Sequence, residues 1–377
     1  MLLARVSRDV GHSKNPVRAV RRMLRRECCL TVSNPARHPM TQTEILLIDS
    51  ATPQPELIAR AASIIKRGGL VAFPTETVYG LGADATSDDA VRRIFDAKGR
   101  PADNPLIIHV ADRQMLNRVA VDIADTAIKL IDQFWPGPLT LVLRRAPAIA
   151  PSVSAGLDTV AVRMPDAPIA LALIRAAGIP IAAPSANTSG RPSPTSAGHV
   201  LEDLAGQVDM ILDGGPAAIG IESTVIDMTV DPPVILRPGW VTRDAISDLI
   251  GPVRTTASSA DLGRSPGTRY KHYSPRARVV LIQRGSAELI RQTCLDLLTK
   301  GAVAYLGHTP SGISHPQFAE MIIGPASRDY AAAIYASLRL LDETNPDVIV
   351  VQGIEPSGEG EAVMDRLKRA ASEVILE

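Results

Sequence analysis

The chain has 377 residues, 40 basic side chains balanced by 40 acidic ones, and a composition that is 45% hydrophobic but only 3% aromatic. The length predicts two domains with aliphatic cores of the α/β class, and zero net charge supplies no global field for nucleic acid or membrane, so any polyanion must be met locally. Three cysteines (Cys28, Cys29, Cys294) and seven scattered histidines give neither a disulfide framework nor zinc-ligand spacing, which predicts a reducing, cytoplasmic setting.

Residues 1–39 carry eight arginines and one lysine against Asp9 and Glu27. They mimic a transit peptide, but the favoured expectation is that 1–40 is a basic, disordered extension or an over-long start ahead of Met40. The apolar run Ile45–Ile48 is far shorter than the roughly 18 residues that span a bilayer, so no membrane partner is expected. From Glu56, Leu57, Ile58, Ala61, Ile64 and Ile65 recur at helical spacing, and Gly68-Gly69 stops the helix. Leu70–Phe73 reads as a short buried strand that is broken by Pro74 and delivers Thr75-Glu76-Thr77 to a loop. Gly80-Leu81-Gly82-Ala83-Asp84-Ala85 matches the G-x-G-x-x-A pattern, but the next helix begins only at Ser87-Asp88-Asp89, so no dinucleotide site is expected there.

That helix ends at Lys98-Gly99-Arg100. Two cations one residue apart, followed by Pro101-Ala102-Asp103-Asn104-Pro105, either project into a cleft as an anion site or sit on a helix C-terminus that the dipole favours. Leu106–Val110 is a strand with His109 near its end, Ala124–Trp135 a helix, and Leu139–Leu143 a strand. Arg163 lies within the apolar strand Thr159–Met164 and needs either an internal carboxylate or a carboxylate ligand. After a helix at Ala167–Ala177, Ile179–Ala183 opens into Pro184-Ser185-Ala186-Asn187-Thr188-Ser189-Gly190. This turn either converges on a phosphate or is an unliganded Ser/Asn turn. A helix near Ser196–Leu204 and a strand at Met210–Leu212 follow. The hydroxyls of Glu222-Ser223-Thr224 then start one strand and Arg237 ends another, and polar strand ends are where α/β sheets build sites.

Residues 251–276 lose periodicity, although Arg269, Tyr270, Lys271, His272 and Tyr273 are more than a spacer needs. From Arg278 the strands Val279–Ile282, Val303–Leu306 and Val348–Val351 alternate with helices at Ala287–Leu298, Ala331–Leu341 and Glu361–Ser372, which implies a small parallel sheet. The division expected is 50–248, a linker at 249–276, and 277–377.

Together, Pro74–Leu81, Lys98-Gly99-Arg100 with Asn104-Pro105-Leu106, Ser185-Ala186-Asn187, Glu222-Ser223-Thr224, Arg237-Pro238-Gly239 and Ser265–Tyr273 resemble the two-domain Sua5 form of the Sua5/YrdC/YwlC family of threonylcarbamoyl-AMP synthases. The resemblance implies a YrdC-like twisted α/β domain with a basic cleft, then a small Rossmann-like α/β/α domain, with the linker as a lid. It implies synthesis of threonylcarbamoyl-AMP and pyrophosphate from L-threonine, bicarbonate and ATP with Mg2+, for modification of adenosine 37 in tRNA. A downstream threonylcarbamoyl transferase complex is the implied partner, with at most a weak contact to tRNA. Residue by residue it assigns Lys98 and Arg100 to catalysis, and these with Asn104, Thr159, Ser185, Asn187, Ser193, Arg237 and Tyr270 to ATP. Thr77, His109, Arg163, Ala183 and Ser223 are assigned to threonine, and no protein metal ligand is named. Lys98 and Arg100, as cleft cations, are expected to matter to rate and little to the fold.

Overall fold

The computed structural model describes residues 42–255 and 272–376. The basic segment 1–40 and Arg269, Tyr270 and Lys271 lie outside them. Among the described residues the first unit is built on a mixed eleven-stranded sheet. Its strands are β1 (Glu44–Leu47), β2 (Val71–Pro74), β3 (Tyr79–Asp84), β4 (Ile107–His109), β5 (Ala120–Val121), β6 (Leu139–Arg145), β7 (Thr159–Arg163), β8 (Ile181–Ala182), β9 (Met210–Asp213), β10 (Thr224–Asp227) and β11 (Val234–Arg237). The spatial order is β1-β9-β2-β3-β8-β4-β7-β6-β10-β11, with β5 beside β6.

The helices are α1 (Pro55–Lys66), α2 (Asp88–Lys98), α3 (Arg113–Val119), α4 (Asp125–Phe134), α5 (Pro168–Ala177), α6 (Ala197–Leu204) and α7 (Arg243–Ile250). Most follow the periodicity and the caps. The Ala90 N–H donates to Ser87 Oγ at the start of α2, and Gly99 at φ +60° ends it, because only a residue without Cβ turns left-handed at little cost. The chain leaves α2 with Arg100 N–H donating to Phe95 O at 3.0 Å, and this fixes where the following loop begins. The glycines of the G-x-G-x-x-A match lie inside β3, antiparallel to β2. A Cβ at Gly82 would sit 2.8 Å from the Phe73 ring and 2.9 Å from Ile181, so close packing explains this glycine without any ligand.

The second unit is a five-stranded parallel sheet in the order β14-β13-β15-β12-β16. Its elements are β12 (Arg278–Ile282), α8 (Ala287–Leu298), β13 (Val303–Gly307), β14 (Phe318–Ile322), α9 (Ser327–Asp342), β15 (Val348–Gln352), α10 (Gly360–Ala370) and β16 (Glu373–Ile375). The α/β class, the twisted sheet and the Rossmann-like second sheet agree with expectation. Sequence periodicity did not reveal β1, β3, α3, β5, α7, β14 or β16. In β3 two glycines interrupt the apolar pattern, most of the others are short, and β14 and β16 are edge strands paired on one side only, where half-exposure blurs the apolar alternation.

Val78 and Ile221 of the first unit pack into the apolar core of the second. Gly220, at φ +86°, brings the backbone against α9, where an added Cβ would lie 2.3 Å from the Ala331 carbonyl oxygen. Gly156, at φ +79°, has open space around the same position. Gly220→Ala is therefore expected to lower stability by about 3 kcal/mol or more, and Gly156→Ala by only about 1 kcal/mol, as read from chemical denaturation. Equal losses would contradict the close approach of Gly220 to α9.

Candidate active site

Strand ends and loops of the first unit meet the start of the second around a cleft of about 640 Å³, its open mouth included. Thr77 comes from the β2–β3 turn, His109 and Arg163 from the ends of β4 and β7, and Ala183, Ser185, Asn187 and Ser193 from the loop after β8. Ser223 precedes β10, Arg237 ends β11, and Arg100 follows α2; all ten line the cleft. Lys98, Asn104 and Thr159 are buried but do not line it. Tyr270 lies outside the described residues.

One end of the cleft is organised by Arg163. Its guanidinium donates through Nε to Gly137 O at 3.1 Å and through Nη1 to Thr77 Oγ1 at 2.8 Å, and it is ion-paired with Glu76. The internal carboxylate that a strand arginine requires is thus Glu76, yet Arg163 keeps a place on the cleft wall. The Thr75 hydroxyl donates to Val78 O at 2.7 Å and lies 2.8 Å from Thr77 Oγ1, so the turn is bonded internally before any ligand arrives. His109 stands opposite Arg163 in the β4–β7 register. Burial, reinforced by the Arg163 charge, pushes its imidazole down to about 3. It is neutral at physiological pH, and its buried Nδ1 has no hydrogen-bond partner in the protein.

The other end is cationic. Arg100 donates to Asn104 O at 3.2 Å and Pro105 O at 3.0 Å, which ties its head group to its own loop. Burial first, and Arg237 among its neighbours, lower its pKa to about 10, which leaves it charged. Arg237 donates through Nε to Ser223 O at 3.1 Å and through Nη2 to Ser223 Oγ at 3.2 Å. The Ser185 hydroxyl donates to Asn187 Oδ1 at 2.6 Å, and Asn187 Nδ2 donates to Thr188 O and Arg191 O at 2.9 Å each. Asn104, behind the wall, supports Arg100 through its carbonyl, while Thr159 starts β7 opposite Arg144.

Lys98 corrects an expectation. It is only 2% exposed, and its ammonium donates to Ser185 O at 2.5 Å and also to Asn187 O. Ser189 N–H returns a bond to Lys98 O at 2.8 Å. In this structure the side chain holds the Ser185-Ala186-Asn187 loop from beneath, so it belongs to the fold as well as to the site. Burial, and then Arg100, push its pKa well below the usual lysine range.

Four participants were not assigned a role from the sequence. Glu222 lies in the cleft wall with His272 and Tyr273, and Arg366 of α10 reaches Glu222 from the second unit. The signal for Arg366 was present: it sits on the apolar face of α10 between Val363 and Leu367, where a charge needs a buried partner. Among the described residues no group of three His, Cys, Asp or Glu side chains is placed to hold a metal ion. Glu222 on the cleft wall is held by Arg366, and Glu76 behind it by Arg163. This donor set does not fit a protein-held Mg2+.

Residues 63–239 match a family model described as "Telomere recombination" (Sua5, YciO, YrdC), and residues 241–372 one described as "Threonylcarbamoyl-AMP synthase, C-terminal domain". The chain is 47% identical over 322 residues to the threonylcarbamoyl-AMP synthase of Pyrococcus abyssi, covering 84% of this chain and 94% of that protein. To that of Bacillus subtilis it is 45% identical over 321 residues, covering 83% and 92%. The crystal structure of P. abyssi Sua5 complexed with L-threonine superposes with a TM-score of 0.84 at 43% identity, covering 89% of this chain and all of that one.

Two outcomes follow from this geometry. Burial lowers His109 to about 3 and His199 and His272 to about 4 from an ordinary 6.5. The unfolded chain therefore takes up protons below pH 6.5 that the folded one refuses. The stability these groups confer is complete above that pH and is lost as pH falls toward their folded values, so the melting temperature should drop steadily between about pH 6.5 and 4; a flat profile would contradict it. Lys98→Met keeps the volume but removes both loop bonds, and is expected to cost about 1–3 kcal/mol as well as activity. An inactive Lys98→Met protein with wild-type stability would return this residue to a purely catalytic role.

Proposed function

The chain belongs to the Sua5/YrdC family, and from that premise we propose that its cleft converts L-threonine, bicarbonate and ATP into threonylcarbamoyl-AMP and pyrophosphate. One N–C bond forms between the threonine amine and the bicarbonate carbon, with release of water. One O–P bond forms between a bicarbonate-derived oxygen and the α-phosphorus, as the α–β anhydride breaks and pyrophosphate leaves. The single observation that carries this reading is the presence of two differently built poles in one cleft: Arg163 with Thr77 and neutral His109, and Arg100 with Arg237.

The first pole suits an amino acid. Arg163 pairs with its carboxylate, and Thr77, Ser223, the Ala183 backbone and the neutral imidazole of His109 offer hydrogen bonds to its hydroxyl and amine. A neutral His109 does not compete with the ammonium group of threonine by charge repulsion. The second pole suits the triphosphate. Charge moves onto pyrophosphate as the anhydride breaks, and fixed guanidinium groups in a partly dry cleft stabilise it without reorganising. Ser185 and Asn187, bonded to each other and held by Lys98, are proposed for the phosphate side, and Ser193 for the nucleoside part of ATP; Asn104 and Thr159, which do not line the cleft, are proposed to support this end from behind the wall. Mg2+ would arrive with ATP as part of the substrate and would help neutralise its charge, with no residue of this chain assigned to hold it. The linker residue Tyr270 is proposed as a lid contact. The product is a reactive mixed anhydride, which requires a downstream acyl transferase acting on tRNA in the same compartment, for which we propose the cytoplasm. No helix among the described residues is long and apolar enough to cross a membrane.

Pyrophosphate release from ATP should depend on both L-threonine and bicarbonate. Arg100→Ala should lower kcat/KM about a hundredfold or more, as for removal of one charge-stabilising donor, while keeping the melting temperature within a few degrees. Release that ignores threonine would refute the assignment.

A further inference from the structure

Glu222 sits in the cleft wall, 7% exposed, and its carboxylate is gripped from the second unit. Oε2 accepts from Arg366 Nε at 2.7 Å and from Tyr335 Oη at 2.9 Å, and Oε1 accepts from Ser193 Oγ. Arg366 is fully buried and also donates through Nη2 to Pro238 O at 3.0 Å and to Glu222 O at 3.4 Å. One guanidinium thereby spans the Glu222-Ser223 and Arg237-Pro238 segments, both of which border the cleft. Tyr335 stacks on Tyr273 with ring centroids 5.4 Å apart, and Arg366 lies 5.6 Å from the centre of the Tyr273 ring.

Burial alone would favour protonated Glu222, but Arg366, Arg237 and the Ser193 hydroxyl outweigh it and hold the carboxyl below the usual range. An ionised carboxylate only accepts, so the single proton of Ser193 is committed to it. What Ser193 offers the cleft is a lone pair. A phosphate oxygen is the wrong partner for a lone pair, whereas an O–H or N–H of a nucleoside is the right one.

We propose that Arg366 and Tyr335 are positioning residues for the nucleotide: acting through Glu222, they fix Ser193 as an acceptor for a sugar hydroxyl or base amino group of ATP. The second unit thus completes the nucleotide side of a cleft that the first unit otherwise builds. The proposal rests on the adenylation reading above and deepens it.

The test uses the full-length chain. Tyr335→Phe removes one hydroxyl with no change of shape, and Arg366→Lys keeps the charge but loses the fork. Both should raise KM for ATP about five- to tenfold, leave KM for threonine within about twofold, and leave the folded fraction at assay temperature unchanged. Wild type should lose a similar factor with one of 2′-deoxy-ATP, 3′-deoxy-ATP or the triphosphate of purine riboside, which lacks the amino group. Ser193→Ala should abolish that discrimination. The proposal is overturned by wild-type KM values in Tyr335→Phe, by activity that falls only in step with the folded fraction, or by Ser193→Ala selectively weakening inhibition by pyrophosphate. If Arg366→Lys does not fold, Tyr335→Phe and Ser193→Ala decide. Calorimetric binding of a non-hydrolysable ATP analogue to the same variants is read separately. If wild type releases no threonine-dependent pyrophosphate, the reaction assignment fails, while these affinities still test the positioning.

Discussion

Charge buried where the two sheets meet must be paired, and much of the molecule is arranged around that requirement. Arg366 with Glu222, and Arg339 with Asp203, cross the junction with side chains that are almost wholly inaccessible. Such pairs add little net stability over apolar residues of equal size, because desolvation offsets the attraction, but removing one partner strands the other and costs about 3–5 kcal/mol. Their consequence is orientation. Apolar contacts such as Val78 and Ile221 in the second core tolerate sliding, whereas a guanidinium that must meet a carboxylate and two carbonyls tolerates very little.

The Asp203 pair shows how the junction reaches the cleft. Asp203 accepts from Arg339 at 2.6 Å, from Arg191 at 2.6 Å, and from the Thr188 N–H at 3.3 Å. Arg339 also donates to Pro192 O at 2.6 Å. The loop that carries Asn187 and Ser193 is therefore held on one side by Lys98 and on the other by α9. Backbone bonds from Ala186 N–H to Tyr79 O at 2.8 Å and from Tyr79 N–H to Pro194 O at 2.9 Å fix its two ends, and the cations that bind its carbonyls hold the stretch between. Preorganisation of this kind is what an adenylating cleft needs, since donors already in place lose nothing when charge develops.

The polar groups on the cleft wall divide by how completely they are satisfied. Ser185, Asn187, Ser223 and Arg237 are bonded to one another or to backbone, whereas the Nδ1 of His109 and the Nε2 of His272 are buried without a hydrogen-bond partner in the protein. A buried polar atom left unsatisfied is costly. A ligand group bonded to either atom would relieve that cost, and the depressed imidazole pKa values arise first from the same burial.

Local information in the chain was enough to determine the helices with strong caps, the buried strands and the two-unit plan, because caps, periodicity and breakers act over a few residues. The stop at Gly99 and the caps at Ser87 and Ser196 need no distant partner. Part of the cleft lining was also legible, Thr77, His109, Arg163, Ser185, Ser223 and Arg237 as polar or basic residues at strand ends and Arg100 after a helix, whereas Ala183 and Ser193 came only from the family resemblance. What only the tertiary structure decided is where each side chain spends its charge. The spacing that made Lys98 and Arg100 look equivalent says nothing of the carbonyls of Ser185 and Asn187, which lie about ninety residues further on and capture one cation but not the other. Nor does it show that Arg366, in the last helix, reaches Glu222. Partners so far apart in the chain are joined by folding alone, and burial at the junction is what makes the pairing obligatory.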